Sequence, residues 1–381
     1  MDISQLFVYL CFISIVATMS NRLKIGITQG DINGIGWELI LKVFADGRMA
    51  ELMTPVIYGT SSAAAFYQKR LNHIEPVRLN TVSGAKAAAT GKVNIVECGV
   101  AEVNITPGKP SKVGGEAAAA ALRTAIEELK RGDIDALVTA PIDKEMIQSE
   151  EFNFTGHTEF LAQELEGAPL MIMTSELMRV GLATIHIPVS EVAQHLSKEL
   201  IVERLEQINT SMRQDFGVVR PKIAVLALNP HAGDGGLLGS EEQEVIKPAI
   251  VEAYEAGILA FGPFAADGFF ASGQFKNYDA ILAMYHDQGL APFKTLTPDG
   301  VNFTASLAKV RTSPDHGVAY DIAGEGKADE QSMRNAIYEA LDIVRRRREW
   351  QEWNKNPLEH FEREKGRDIS IKDLAEHEQN D

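Results

Sequence analysis

From Leu23 onward, short apolar runs alternate with longer segments in which apolar residues recur every three or four positions. The runs at 24–28 (KIGIT), 55–59 (PVIYG), 136–142 (ALVTAPI), 222–230 (KIAVLALNP) and 279–285 (DAILAMY) predict strands. The periodic segments predict helices over 36–46, 60–72, 114–131, 157–166, 240–256 and 329–350. Strands separated by helices in this way describe an α/β protein with a largely parallel sheet. No repeat of fixed period and no long Pro- or Ser-rich linker interrupts the pattern, so two lobes are expected to be interwoven rather than strung out.

Where the apolar runs stop, the chain turns polar in a recurring way. His186 ends GLATIH, His231 ends VLALNPH and His286 ends ILAMYH. Each stands at the carboxyl end of an apolar strand, the edge of an open α/β sheet where ligands collect. One such histidine reads as a turn residue. Three of them, with Asp287 beside one and Asp267 in GPFAADGFF, point to a divalent metal site with open positions, suited to zinc or a harder ion. Their separations of about 45 and 55 residues leave it to the fold to bring them together. His73, His195, His360 and His377 read as surface residues.

A second group suits an anion. FTGHTEFLAQEL places Gly156, His157 and Thr158 at a helix start, where free amides and the helix dipole favour phosphate or carboxylate. Lys294, Asn302 and Arg311 could clamp an oxyanion through charge-assisted bonds. The glycine loop TQGDINGIGWE at 28–38 also follows a strand and opens a helix. Its Gly30, Gly34 and Gly36 nevertheless form neither G-x-G-x-x-G nor a P-loop, so it reads as a tight structural turn with Asp31 or Asn33 capping.

Composition narrows the classes. At 381 residues with 45% hydrophobic content the chain can bury a substantial core, and a net charge of -16 argues against general binding of nucleic acid or acidic membranes. Two cysteines, Cys11 and Cys98, supply neither a disulfide framework nor a Cys-rich zinc site, which suits a reducing cytoplasm. The apolar prefix MDISQLFVYLCFISIVAT lacks a positive n-region and is shorter than the roughly 20 residues of a membrane span. Because Met19 opens an ordinary start, residues 1–18 are expected to be an upstream-start artefact, and no stable membrane association is expected.

Four motifs, TGHTEFLA, ALNPHAGDGGLLGSEE, AMYHDQGLAPFK and RTSPDHGVAYDIAGEG, in this order and spacing, resemble the 4-hydroxythreonine-4-phosphate dehydrogenase family over about residues 22–346. DHGVAYDIAGEG is also similar to the nucleotide loop of isocitrate and isopropylmalate dehydrogenases. The resemblance implies a two-lobed, isocitrate dehydrogenase-like α/β/α fold with the active-site cleft between lobes. The first lobe would comprise 22–145 plus 305–350 and the second 146–304, with 1–21 an extension and 351–381 a charged tail.

By position, the resemblance implies metal ligation by His186, His231 and His286. It implies substrate contacts from His157, Thr158, Lys294, Asn302 and Arg311, and proton transfer involving Lys294, His157 or Asp287. Candidate cofactor contacts are Gly233, Gly235, His316, Gly317 and Asp321. It further implies NAD or NADP, one divalent ion per subunit (Zn, Mg or Co), and a homodimer whose metal site is completed across the interface. The simplest arrangement to test pairs His186 of one subunit with His286 of the other.

The implied reaction oxidises 4-phosphooxy-L-threonine at C3 and releases carbon dioxide to leave 3-amino-2-oxopropyl phosphate, in pyridoxal phosphate biosynthesis. GDINGIG and TASLAKVRTSP depart from the usual family stretches. This leaves phosphorylated sugar acids such as 4-phosphothreonate or 4-phosphoerythronate as alternative substrates, and aromatic dihydrodiols as more distant ones. A metal-dependent hydrolase and a non-catalytic phosphometabolite binder are the readings from other classes.

Overall fold

The computed structural model describes residues 22–99, 104–149 and 157–357, with the side chains of 157–159 outside the description. By its contacts the chain divides into a unit ending at Arg347 and a unit beginning at Arg348. The first unit carries the strands. These are β1 (Lys24–Thr28), β2 (Thr54–Gly59), β3 (Leu79–Val82), β4 (Val93–Glu97), β5 (Ala136–Thr139) and β6 (Gly167–Thr174), then β7 (Arg179–Leu182), β8 (Lys222–Leu226), β9 (Leu259–Phe264), β10 (Ala280–Ala283), β11 (Val301–Leu307) and β12 (Val310–Pro314). The helices that matter below are α1 (Gly36–Ala45), α2 (Ser61–Arg70), α3 (Lys112–Arg131), α4 (His157–Glu164), α5 (Lys198–Gln214), α6 (Lys247–Glu255), α7 (His286–Leu296) and α8 (Gln331–Trp353).

Among the described residues the strands form one sheet in the order β3-β4-β2-β1-β5-β12-β11-β6-β7-β10-β8-β9. One half holds strands from the start of the chain plus the late β12; the other holds β6 to β11. Pairing is parallel on both flanks, but β11 runs antiparallel to β12 and β6, and β6 antiparallel to β7. β1, β2 and β5 are buried almost throughout, which is why they read as unbroken apolar runs rather than alternating ones.

Helix α3 shows how local chemistry sets the frame. The Ser111 hydroxyl accepts from the Gly114 amide at 3.1 Å, a run of alanines propagates the helix, and left-handed Gly132 closes it. Two glycines in its first turn let it approach the sheet edge. A Cβ on Gly115 would lie 2.0 Å from the Met146 carbonyl oxygen, and one on Gly114 2.8 Å from the Asp31 carboxylate.

The expected helix over 240–256 is a π-helical turn, Glu242–Ile246, running into α6. Pro248 in the first turn of α6 has no N–H to donate, and the wider turn precedes it. Helix α5 was not among the elements expected from the pattern. It buries Ile201, Leu205, Ile208 and Met212 on one stripe behind the Ser197 cap.

Candidate active site

Strand register assembles the site. β7 and β10 are parallel neighbours, with Val180 opposite Ile281 and Leu182 opposite Ala283. Hydrogen bonding continues past both strands: Ala183 N–H donates to the Ala283 carbonyl at 2.8 Å and Thr184 N–H to the Met284 carbonyl at 3.2 Å. The chain therefore carries His186 and His286 out side by side, with ring centroids 6.0 Å apart.

The polar YHDQG segment is explained residue by residue. His286 opens α7, and Asp287 sits in its first turn, where a carboxylate is favoured by the helix dipole. The Gln288 side chain ties two strand ends together, accepting from Met284 N–H and donating to the Ala227 carbonyl. Gly289 packs where a Cβ would meet Leu182 and Val180 at 2.9 Å.

His186 and His286 line a cavity of about 230 Å³ at this edge, between the two halves of the sheet. Side-chain alternation fills its other walls. On β12, Arg311 and Ser313 face the cavity while Thr312 turns to the opposite face and donates to the Ala336 carbonyl of α8. Asn302 of β11 and Met171 and Met173 of β6 contribute in the same way, and His286, Leu290 and Lys294 face inward from α7 at four-residue spacing.

Among the described residues the lining is cationic although the chain is acidic: Lys144, Lys294 and Arg311 stand against the single carboxylate of Asp315. Arg311 is only 2% exposed. Its guanidinium donates to the Thr139 hydroxyl at 2.6 and 3.1 Å and to the Thr304 hydroxyl at 3.1 Å. The Asn302 amide oxygen and His316 Nε2 are buried without a hydrogen-bond partner. His316 Nδ1 lies 3.1 Å from the Gly317 carbonyl. A carbonyl can only accept, so Nδ1 carries the proton and Nε2 the lone pair. Burial lowers the His316 pKa, keeping the ring neutral, and burial raises that of Asp315 against the opposing pull of Lys294.

Of the residues singled out in the sequence, the cavity brings together His186, His286, Lys294, Asn302, Arg311, His316 and Gly317. It does not include His231, which is exposed at the tip of a separate loop. Among the described residues no cluster of three His, Cys, Asp or Glu side chains could hold a metal ion. The pairing of His186 from one subunit with His286 from another is replaced by a simpler arrangement: both belong to one cavity of one chain, and His231 stands apart. Two adjacent imidazoles are a fitting but incomplete donor set for a borderline divalent cation.

Asp287 is turned outward, 78% exposed, with its carboxylate 3.4 Å from His286 Nδ1. Gly233 and Gly235 belong to the His231 loop, and Asp321 is exposed in a short turn outside the cavity wall. The His157 and Thr158 side chains, and Gly156, lie outside the described residues. Asp315 and Thr139 were missed by sequence reasoning. Asp315 sits inside DHGVAYDIAGEG, but nothing in the motif announces that its partner is Lys294.

The glycine loop at 28–38 has its amides engaged. Asp31 N–H donates to the Pro141 carbonyl, Gly34 N–H to the Asp31 carbonyl and Ile35 N–H to the Val318 carbonyl. The Asp31 carboxylate accepts from Asn33 N–H at 2.8 Å and from the Tyr320 hydroxyl at 2.9 Å. The loop is a structural turn, but neither Asp31 nor Asn33 caps α1: Ile35 stands at the N-cap, without a side-chain cap bond, and the Asp31 carboxylate is engaged within the turn.

A mixed α/β sheet whose strand ends open on a cation-lined cleft with a histidine pair defines an α/β enzyme with an anion-accepting site. The chain belongs to the family described as pyridoxal phosphate biosynthetic protein PdxA, whose model matches residues 51–340. It is 53% identical over 341 residues to a 4-hydroxythreonine-4-phosphate dehydrogenase of Bacteroides thetaiotaomicron, covering 89% of this chain and 93% of that protein. It is 36% identical over 330 residues to an Oceanobacillus iheyensis protein described as a candidate D-threonate 4-phosphate dehydrogenase, covering 86% of this chain and 99% of that one. A crystal structure of 4-hydroxythreonine-4-phosphate dehydrogenase from Klebsiella pneumoniae superposes with a TM-score of 0.74 at 32% identity, covering 85% of this chain and 98% of that one. The protein is thus an oxidoreductase of this family, which sets aside the hydrolase and binder readings. No helix among the described residues is long and apolar enough to cross a membrane.

Proposed function

We propose that the protein oxidises 4-phosphooxy-L-threonine at C3 with NAD or NADP, and that the resulting 3-oxo acid loses carbon dioxide to give 3-amino-2-oxopropyl phosphate. The observation that carries this reading is the cavity, which sets three cations and a histidine pair around a space sized for a small phosphorylated acid. A divalent cation, when bound, would polarise the C3 hydroxyl and lower its pKa. His186 and His286 would hold it from one chain.

The third imidazole, His231, would come from a second copy. Its loop is built to project: Pro230 to Gly236 includes six consecutive residues, His231 to Gly236, at positive φ. Leu237 beside it is 79% exposed, and Val251, Tyr254 and Phe261 are exposed on α6 and on β9, the edge strand. Apolar side chains at an uncovered sheet edge suit a partner subunit.

Within the cavity, Arg311 and Lys294 would bind the phosphate and carboxylate, and the buried Asn302 amide oxygen would accept from a substrate N–H or O–H. His316, Gly317 and Asp321 would meet the nucleotide, and Gly233 and Gly235 would approach it from the projecting loop. Lys294, His157 and Asp287 remain the proton-transfer candidates. Cys98, a buried free thiol with its pKa pushed up to about 11, suits the reducing cytoplasm where we place the enzyme.

A second reading, oxidation of a phosphorylated sugar acid such as 4-phosphothreonate, is favoured by the Oceanobacillus relative, because the two substrates differ only in an amino or hydroxyl group at C2. A substrate panel settles the choice. Reduced nicotinamide should form with 4-phosphooxy-L-threonine at a kcat/KM above that for 4-phosphothreonate, and only with a divalent cation present. Turnover of the threonate alone would replace the first reading by the second, and turnover of neither would end both.

A further inference from the structure

Asp315 is an unexpected residue to find in an anion-binding cavity. Among the described residues it is the one carboxylate lining the wall, one residue beyond β12, and by repulsion it weakens any phosphate or carboxylate that enters. Its placement is nevertheless firm. The Asp315 amide donates to the Ser332 hydroxyl at 3.0 Å, and Ser332, buried in the first turn of α8, donates in turn to the Gly300 carbonyl at 2.7 Å. The Asp315 side chain is 11% exposed and its Oδ1 lies 2.7 Å from Lys294 Nζ.

Two of the three cavity cations, Arg311 and Lys294, differ in how they are held. Arg311 is buried, with the hydroxyls of Thr139 and Thr304 accepting from its guanidinium. Lys294 projects from α7 with 48% of its side chain exposed, at the end of four rotatable bonds. A fixed acceptor is what confines such a side chain to one geometry. The pair also spans the cleft: α7 follows β10 in one half of the sheet, while Asp315 follows β12 in the other.

We infer that Asp315 is a positioning residue for the known reaction: anchored by Ser332, its carboxylate holds the Lys294 ammonium across the cleft at the place where the substrate needs it. This inference rests on the reading that the cavity takes a phosphorylated hydroxy acid. It gives a signature that a purely structural residue would not. Removing the carboxylate frees Lys294 from its place, which lowers kcat, while the weakened Lys294 contact and the lost repulsion of the substrate offset one another in KM, so the loss falls on kcat.

The test uses the full-length protein, its Asp315→Asn, Asp315→Glu and Ser332→Ala variants, 4-phosphooxy-L-threonine with NAD, and an amine-reactive reagent read at Lys294 by peptide mass spectrometry. Asp315→Asn should lower kcat by about 10- to 100-fold, the scale of a misplaced reacting group, with KM unchanged or lower. Lys294 labelling should rise severalfold. Asp315→Glu should recover most of the kcat and the protection, and Ser332→Ala should move both quantities in the Asp315→Asn direction by less. An unchanged kcat, a rise in KM alone, or equal Lys294 labelling in wild type and Asp315→Asn overturns the inference. If Asp315→Asn does not fold, Ser332→Ala decides by the same criteria. If the wild type fails to oxidise the substrate, the functional reading fails, while the labelling comparison still decides whether Asp315 holds Lys294.

Discussion

Two glycine-rich loops, at 28–38 and 229–240, follow a strand and lead to a helix, yet they behave oppositely. In the first, the backbone is buried and locked to its neighbours: a Cβ on Gly30 would lie 2.4 Å from the Pro141 carbonyl oxygen, and one on Gly36 2.2 Å from that of Gln29. The second is tied to the fold chiefly at its base, with Leu237 and Leu238 N–H donating back to the Asp234 and Gly233 carbonyls within the loop. The buried Glu242 carboxylate accepts from the amides of Leu228 and Asn229 at 2.8 and 2.7 Å, and beyond it the chain runs outward through its left-handed turn. Three of the six consecutive positive-φ residues there, His231, Ala232 and Asp234, carry side chains that disfavour that conformation. A loop that locks itself together builds the fold. One that holds a strained histidine away from the cavity is where the proposed second copy would meet the chain.

The difference can be broken by experiment, beginning with function. His231→Ala should reduce turnover by at least about a hundredfold, as expected when a metal ligand is lost, while leaving the thermal midpoint of the metal-free protein unchanged. A fall in that midpoint would mean that His231 belongs to the fold. Gly30→Ala should act in the opposite sense. Its φ of +68° and the contact with Pro141 predict a loss of about 3 kcal/mol or more, read as a lower denaturant midpoint at constant slope.

Asp31→Asn sharpens the first loop. Burial raises the Asp31 pKa, so between its ordinary range and the raised value the folded state binds a proton that the unfolded chain has lost. Stability from this group is therefore present below the ordinary aspartate range and falls as pH rises through the raised pKa. The asparagine variant should show a flatter stability profile over that window, and an identical slope would contradict the assignment. The smallest effect is expected at Gly235, where φ is +67° but an added Cβ meets nothing within 4 Å. Gly235→Ala should cost only about 1 to 2 kcal/mol, the conformational penalty alone.

Much of this was legible in the residues. Strands β1, β2, β5, β8 and β10 announced themselves because burial leaves uninterrupted apolar runs, whereas β3, β4 and β9 on the flanks were missed, β3 and β9 being too exposed to carry such a run; the loop at 28–38 read as a tight turn because its glycines fit no phosphate-binding spacing. His186 and His286 were marked by their place after apolar strands, and Lys294, Asn302 and Arg311 by their ability to clamp an oxyanion. The antiparallel centre was harder. β11 and β12 mix in Asn302, Arg311 and Ser313, which face the cavity, and Thr304, whose hydroxyl accepts from Arg311, so they lack an apolar signature. The division of the three histidines was not legible at all. All three follow apolar strands, and only the register of β7 with β10, together with the Glu242 anchor after β8, separates the pair from the third. The Lys294–Asp315 ion pair was hidden for the same reason, since it joins residues 21 positions apart that sequence patterns treat independently.

The central claim is that His231 of one copy completes the site formed by His186 and His286 of another. Subunit exchange tests it most directly. In a mixed dimer of His231→Ala and His286→Ala proteins, one site would carry both lesions and the other neither. Half of randomly exchanged dimers are mixed, so about a quarter of wild-type activity should return. A mixture of His186→Ala and His286→Ala proteins should stay inactive, because each cavity keeps its own lesion. With exchange verified by native mass spectrometry, recovery in the second mixture, or silence in the first, would contradict the account.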